Sequence, residues 1–364
     1  MKYVLKDKAL LVLEDGLVFE GKSIGVKGTT NGEMCFNTGM TGYQEIYTDP
    51  SYSGQIIINT SPHIGNYGTA ELEQESSVVQ FKGLVCNSFA NVFSRRFAMN
   101  SLQGYFDANG IVGIADIDIR KLVRHVRDKG AMNGIISSVN LNVEDLSAEL
   151  STVPTMTGLE LSSKVSTKSH YFFGNESSKY KVAVLDLGVK KSILTNFENR
   201  DCYCKVFPSF AAYSDMLEWG ANGYFISNGP GDPSVMGYAV NTVKDILANN
   251  QPLFGICLGQ QLLAMANGIS TYKMHNGHRG LNHPVKNLLT GKSEITSQNH
   301  GFSVVKEEVI KNANVEITHI NLNDETVEGI RIKDRRAFSV QYHPEAAPGP
   351  HDSKYLFDQF VDFF

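Results

Sequence analysis

The sequence predicts an α/β protein of two domains, with a doubly wound, mostly parallel sheet in the C-terminal half and an α+β domain containing antiparallel sheet before it. Three observations carry this expectation. The chain has 364 residues, too many for one ordinary core when domains run to about 100–200 residues. Beyond residue 180, short apolar runs alternate with helical stretches, the pattern of strands joined by right-handed crossovers. At the other end, ALLVLEDGLVFEG over residues 9–21 holds two β-patterned runs joined by Asp15-Gly16, a dipeptide that accepts the positive φ angles of a tight hairpin turn.

The remaining elements follow in order. Apolar runs at Gln55 to Asn59 and Gly83 to Cys86 read as short strands, and Asp116 to Lys129 reads as a helix with Ile119, Leu122, Val123 and Val126 on its apolar side. Gly130 stands where a C′ glycine ends such a helix. Between Ser151 and Lys181 eleven Ser or Thr and no sustained periodicity place the domain junction, giving an N-terminal domain 1–150, a linker 151–180 and a second domain 181–364. KVAVLDLG (181–188) and CKVFP (204–208) are strands, GYFISNGPGDP (223–233) is a strand entering a turn, and PLFGICLG (252–259) is a strand entering a helix. Val235 to Asn249 is helical, and SKYLFDQFVDFF closes the chain as an amphipathic helix whose aromatics face the core.

Composition bounds the function. Hydrophobic residues at 42%, charged residues at 20%, and 33 Gly against 11 Pro are the balance of a folded globular chain, which excludes extended disorder. A formal charge of −5 without a long basic run argues against nucleic-acid binding. The early apolar run Ala9 to Leu13 is far shorter than the ~18 residues of a spanning helix. No membrane association and a cytoplasmic location are therefore expected. Five cysteines, odd in number and without CxxC spacing, describe no disulfide framework.

In parallel sheets of this kind ligands sit at the carboxyl ends of the strands, and the informative residues fall there. Cys257 stands in Gly255-Ile256-Cys257-Leu258-Gly259, a strand, sharp turn and helix with a glycine two residues either side of the sulfur. A lone cysteine in an apolar run is most simply a core residue, but this is the layout of a nucleophile elbow, where side chains at the flanks would collide. The helix that follows aims N–H groups at the sulfur, which favours negative charge on it and offers donors to an oxyanion. A base and an orienting group are available in His343-Pro344-Glu345 after Phe338-Ser339-Val340, where a strand ending in His-x-Glu sets both side chains on one face. By itself that pair reads as solvated surface; with the elbow it forms a triad of Cys257, His343 and Glu345. Ser227-Asn228-Gly229-Pro230-Gly231-Asp232-Pro233 is a glycine-rich turn whose N–H groups can complete an oxyanion hole, or an ordinary turn. It is not a phosphate loop, because Ser234 occupies the last glycine position of GxGxxG, and Lys286 replaces the leading glycine of the Walker-like string at 290–293.

Together these elements resemble the class I, or triad, glutamine amidotransferase domain over roughly Lys179 to Phe364, which implies a flavodoxin-like glutaminase fold. The stretch Phe36-Asn37-Thr38-Gly39-Met40-Thr41-Gly42-Tyr43-Gln44-Glu45, continuing through Thr48 to Ser53 and Pro62 to Asn66, is similar to the N-terminal domain of the small chains of carbamoyl-phosphate synthetases. The resemblance implies that Cys257 is the nucleophile, His343 the acid/base and Glu345 its orienter, with L-glutamine bound at Ser51, Gly229, Gly231, Leu258, Gln261, Asn299, Gly301 and Phe302. It implies hydrolysis of glutamine through a Cys thioester and delivery of ammonia to a large synthetase chain, the partner in a heterodimer, which holds ATP, Mg²⁺ and bicarbonate and makes carbamoyl phosphate for arginine or pyrimidine biosynthesis. No cofactor and no metal are expected on this chain. His275, His278 and His283 have spacings that suit a metal, but they are read as part of a loop near the glutamine pocket. Gln260 stands where many relatives carry His, a departure expected to affect packing. Two other readings compete: an amidotransferase subunit of anthranilate or GMP synthesis, disfavoured by residues 1–150, and a non-catalytic scaffold that binds a partner, disfavoured by the intact triad.

Overall fold

The computed structural model describes residues 6–364. The chain divides into two compact units, Met1–Met156 and Thr157–Phe364.

The first unit is a closed barrel of seven strands, with a two-stranded ribbon beside it in sequence. In chain order its strands are β1 (Lys8–Leu13), β2 (Val18–Gly25), β3 (Thr29–Asn37), β4 (Gln55–Asn59), β5 (His63–Ile64), β6 (Gly83–Val85), β7 (Ser88–Phe89), β8 (Val112–Ala115) and β9 (Asn133–Ser137). The barrel order is β1-β2-β8-β6-β4-β3-β9, and β5 pairs with β7. The expected hairpin is present as β1 and β2, with Gly16 at φ 88° in its turn. The antiparallel character is confined to part of the circuit, because β3, β4, β6 and β8 run parallel to one another. The continuous apolar run of β4 shows why: Ile56 and Ile58 join one core cluster and Ile57 another, so both faces of the strand are covered. The helix read from Asp116 begins at Ile119, because the Asp118 side chain caps it by accepting from the Lys121 N–H, and it ends at Gly130.

The second unit is a ten-stranded sheet. Its strands are β10 (Tyr171–Phe173), β11 (Tyr180–Leu185), β12 (Cys202–Phe207), β13 (Gly223–Ile226), β14 (Leu253–Ile256), β15 (Thr271–Asn287), β16 (Ser293–Val304), β17 (Val315–Asn321), β18 (Val327–Ile332) and β19 (Ala337–Val340), in the spatial order β10-β12-β11-β13-β14-β19-β18-β17-β15-β16. From β12 to β19 neighbours are parallel, the doubly wound half that the sequence announces. From β19 to β16 every pairing is antiparallel. That half includes His275, His278 and His283, which lie on β15 rather than in a loop; register shifts after Lys273 and Gly280 break the period-2 pattern that would have announced a strand. Of the stretch read as a linker, residues from Thr157 onward belong to this unit: β10 adds to β12, the Asp232 N–H donates to the Leu159 carbonyl, and the Thr167 N–H donates to Asp186.

Two apolar layers sandwich the sheet. On one side Phe254 of β14 stacks on Phe338 and meets Phe225, Phe357 and Phe360, the last two from the closing helix Tyr355–Val361. This layer fixes the ends of β13, β14 and β19. Phe254→Ala is expected to cost about 3–5 kcal/mol in urea unfolding, whereas Ile310→Ala, at a side chain 67% exposed, should stay within about 0.5 kcal/mol. Comparable losses at the two positions would show that the aromatic layer does not carry the unit.

Candidate active site

Four parallel strands end on the same edge, and each delivers a part of the site. β14 runs into Cys257, which caps the helix Leu258–Ala266 with φ 56° and ψ −103°, a conformation that L residues rarely adopt. The flanking glycines make it possible. A Cβ on Gly255 would lie 2.8 Å from the backbone of Gly259, and one on Gly259 would lie 2.3 Å from the Ile226 carbonyl oxygen. The Cys257 N–H donates to the Val340 carbonyl at 2.8 Å, tying the elbow to β19. The first N–H groups of the helix have no acceptor within it, and they open beside the sulfur.

β19 ends at Val340, so His343 and Glu345 lie in the turn beyond the strand and do not share a strand face. They meet because the turn folds back: the His343 N–H donates to the Ser297 carbonyl at 2.9 Å, and Ala346 takes φ 48°. His343 Nδ1 is 2.7 Å from Glu345 Oε1. The same oxygen is 3.0 Å from Nζ of Lys190, which follows β11 and also donates to the Ala347 carbonyl at 2.9 Å. All three side chains are buried. Burial opposes the charged imidazole, but the Glu345 carboxylate and the nearby Cys257 sulfur outweigh it and hold His343 up at about 10. Burial likewise opposes the Glu345 carboxylate, and Lys190 and His343 together bring it down to about 2. His343 Nε2 is buried without a hydrogen bond of good geometry, which leaves it available on the side of the sulfur.

β13 ends in the glycine-rich turn. A Cβ on Gly229 would lie 2.1 Å from the Leu187 carbonyl oxygen and 3.0 Å from Cδ2 of Leu258, so this turn packs directly against the elbow. Gly231, at φ 94°, bridges to Glu160. The fourth side comes from the antiparallel half. The Cys257 thiol donates to the Asn299 carbonyl at 3.6 Å. Gln261 Nε2 donates to the Phe302 carbonyl at 3.0 Å and to Gln341 Oε1 at 3.1 Å. A Cβ on Gly301 would lie 3.0 Å from both Arg279 Nη2 and Lys273 Nζ, so two cations border this strand.

The structure thus assembles Cys257, His343, Glu345, Gly229, Leu258, Gln261, Asn299 and Phe302 around one strand edge. Ser51 belongs to the first unit, in the turn Pro50–Tyr52, where its N–H donates to Asp49 at 2.9 Å. Lys190 escaped the sequence reading. The available signal was a lysine just beyond Leu185-Asp186-Leu187-Gly188 at a strand end. Gln260 behaves as packing: its Nε2 donates to the Val327 carbonyl at 3.1 Å. The thiols of Cys86 and Cys202 are pushed by burial up to about 12, and that of Cys204 is raised by the same cause.

The family model for the carbamoyl-phosphate synthase small chain, CPSase domain, matches residues 11–136, and the model for glutamine amidotransferase class-I matches residues 183–363. The carbamoyl phosphate synthase small chain of Chlorobaculum tepidum is 47% identical over 97% of both chains. That of Synechococcus sp. is 45% identical over 99% of this chain and 94% of its own, and that of Vibrio vulnificus 45% over 98% of each.

The buried pair has a definite pH signature. A histidine raised on folding stabilises the fold fully below its ordinary value and loses that contribution as pH climbs through about 10; Glu345, lowered on folding, contributes above its ordinary value and loses it as pH falls through about 2. In NMR spectra of the full chain the His343 imidazole signals should stay constant between about pH 6 and 8, where an unperturbed histidine titrates. A midpoint inside that interval would show that Glu345 does not govern the ring.

Proposed function

The chain belongs to the carbamoyl-phosphate synthase small-chain family, the glutaminase subunit of the glutamine-dependent enzyme, and we propose that Cys257, His343 and Glu345 are the triad with which it hydrolyses L-glutamine. What supports this reading is a cysteine held at positive φ on a strand-to-helix elbow, on the sheet edge that also carries the buried His343–Glu345 pair. In this mechanism the Cys257 sulfur, its proton passed to His343 Nε2, attacks the side-chain amide carbon of glutamine. The oxyanion is held by the N–H groups of Leu258 and Gly229. As the carbon–nitrogen bond breaks, His343 returns the proton to departing ammonia, leaving a glutamyl thioester. Water then adds to the thioester carbon, His343 takes its proton, and glutamate leaves with the thiol restored.

The large chain is the partner that consumes the ammonia. ATP, Mg²⁺ and bicarbonate belong to it in this reading, which also makes the assembly a cytoplasmic heterodimer; the free thiols of all five cysteines fit a reducing compartment. Within the second unit, glutamine is bounded by Gly229, Gly231, Leu258 and Gln261 on one side and by Asn299, Gly301 and Phe302 on the other.

Cys257→Ser is expected to abolish glutamine-dependent carbamoyl phosphate synthesis by the reconstituted enzyme while synthesis from added ammonia persists. Substantial glutamine-dependent turnover in that variant would exclude the triad. Ser51→Ala should act mainly on KM for glutamine, by about 0.5–1.5 kcal/mol for one neutral hydrogen bond. An unchanged KM would place Ser51 outside the pocket.

A further inference from the structure

Two imidazoles and a carboxylate that the mechanism does not use converge in the antiparallel half of the sheet. His278 of β15 lies opposite His300 of β16 in the strand register, with the rings 5.0 Å apart and nearly perpendicular. Each ring has its outer nitrogen held at short range: His278 Nε2 is 2.9 Å from the Asp324 carboxylate, and His300 Nδ1 is 2.9 Å from the Phe302 carbonyl. A carboxylate or a backbone carbonyl on the outer nitrogen is how metal-bound histidines are commonly oriented. The inner nitrogens, His278 Nδ1 and His300 Nε2, both turn toward Glu328 of β18 and lie 3.5 Å and 3.9 Å from its Oε1.

Glu328 supplies an independent observation. Its side chain is fully buried, and its Oε2 has no hydrogen-bond partner among the described residues. Oε1 accepts from Thr326 Oγ1 at 3.2 Å and from Asn321 Nδ2 at 3.4 Å and faces His278 Nδ1 at 3.5 Å, and none of these is the short charge-assisted bond of a well-satisfied carboxylate. Asn321 Nδ2 also lies 3.5 Å from His278 Nδ1, and Gln298 Oε1 lies 3.4 Å from His300 Nε2.

We infer that His278, His300 and Glu328 bind one zinc ion, through Nδ1, Nε2 and the carboxylate respectively. The three donor atoms lie within 4.8 Å of one another. Tetrahedral zinc with ligands at about 2.0–2.2 Å sets its donors roughly 3.4 Å apart, so the site closes by modest side-chain rotation. Two imidazoles favour zinc over magnesium or calcium, which take oxygen ligands. The fourth position is left to water or to Gln298 Oε1. His278 keeps 12% of its side chain exposed, which provides an entry path. An ion here ties β15, β16 and β18 together at the residue between Asn299 and Gly301. That this segment walls the glutamine pocket rests on the proposed function; the binding of zinc to the chain does not.

The test uses the full chain with Cys257 alkylated, so that the thiol and His343 cannot take the metal, and stripped with a chelator. Zn²⁺ titration against a chromophoric chelator should find one tight equivalent, Co²⁺ should give the visible absorption of a tetrahedral site, and Mg²⁺ should not compete. Glu328→Gln and His278→Asn should each weaken zinc at least tenfold, and Asp324→Asn should weaken it less. Metal-free unfolding midpoints report whether each variant folds, and the cobalt spectrum of the wild-type chain stands apart from any variant. No stoichiometric zinc in the wild-type chain, or equal zinc affinity in Glu328→Gln and His278→Asn, would overturn the site.

Discussion

Withdrawing the Glu345 carboxylate from water costs several kcal/mol unless charge and hydrogen bonds replace the solvent, and the second unit supplies two cations to do so. Their origins matter more than their number. Lys190 follows β11 and Glu345 follows β19, and in the sheet these strands are separated by β13 and β14. The ion pair therefore closes over the ends of the two strands that carry the glycine-rich turn and the cysteine elbow. Lys190 Nζ also donates to the Ala347 carbonyl, so the turn bearing His343 and Glu345 is gripped at two points. If any of these strand ends were displaced, the carboxylate would be buried without compensation. The cost of that state holds the edge in register.

A second expense falls in the same layer. A non-glycine residue at positive φ with ψ near −100° costs of order 1–3 kcal/mol, and Cys257 occupies such a conformation. Nothing local relieves it, since Gly255 and Gly259 are in contact with backbone and leave no room for the elbow to relax toward either side. The compensation comes from the aromatic layer beneath, where Phe254, three residues back on β14, is locked by four other rings. Strain and buried charge are thus concentrated where the chemistry is proposed, and apolar packing carries them from below.

How much of this was legible in the sequence depended on how local the cause was. The elbow, the glycine turn and the Asp15-Gly16 hairpin are written in consecutive residues, because each answers a steric demand within a few positions. The parallel half was readable from continuous apolar strands. Its antiparallel extension was not: β15 carries charged and histidine residues across two register shifts, and its burial comes from partners distant in sequence. Lys190 is only faintly signalled for the same reason, since a lysine beyond a strand end gains its meaning when the fold brings Glu345 to it. The His-x-Glu pair is legible as a motif, but strand alternation is not what joins it. The two side chains do meet, but in a turn shaped by the Ser297 backbone and a positive φ at Ala346, where strand alternation plays no part.

The antiparallel extension has its own necessity. The carboxyl ends of the parallel strands are occupied by Cys257, the His343–Glu345 pair, the buried lysine and the glycine turn, so the proposed substrate on that edge would have to be bounded by something from outside the parallel set. In the proposed site the β16 segment from Asn299 to Phe302 takes this place, and its position is doubly determined. The Phe302 carbonyl accepts from Gln261, on the helix that begins at Cys257, and from His300 of its own strand. Gln261 reaches in addition to Gln341, just before the His343 turn. Elbow helix, base-bearing turn and β16 are therefore joined through one carboxamide. A shift of the hairpin moves the thiol's acceptor, the Asn299 carbonyl, together with the wall of the pocket, so the proposed nucleophile and the surface that would hold its substrate cannot drift independently.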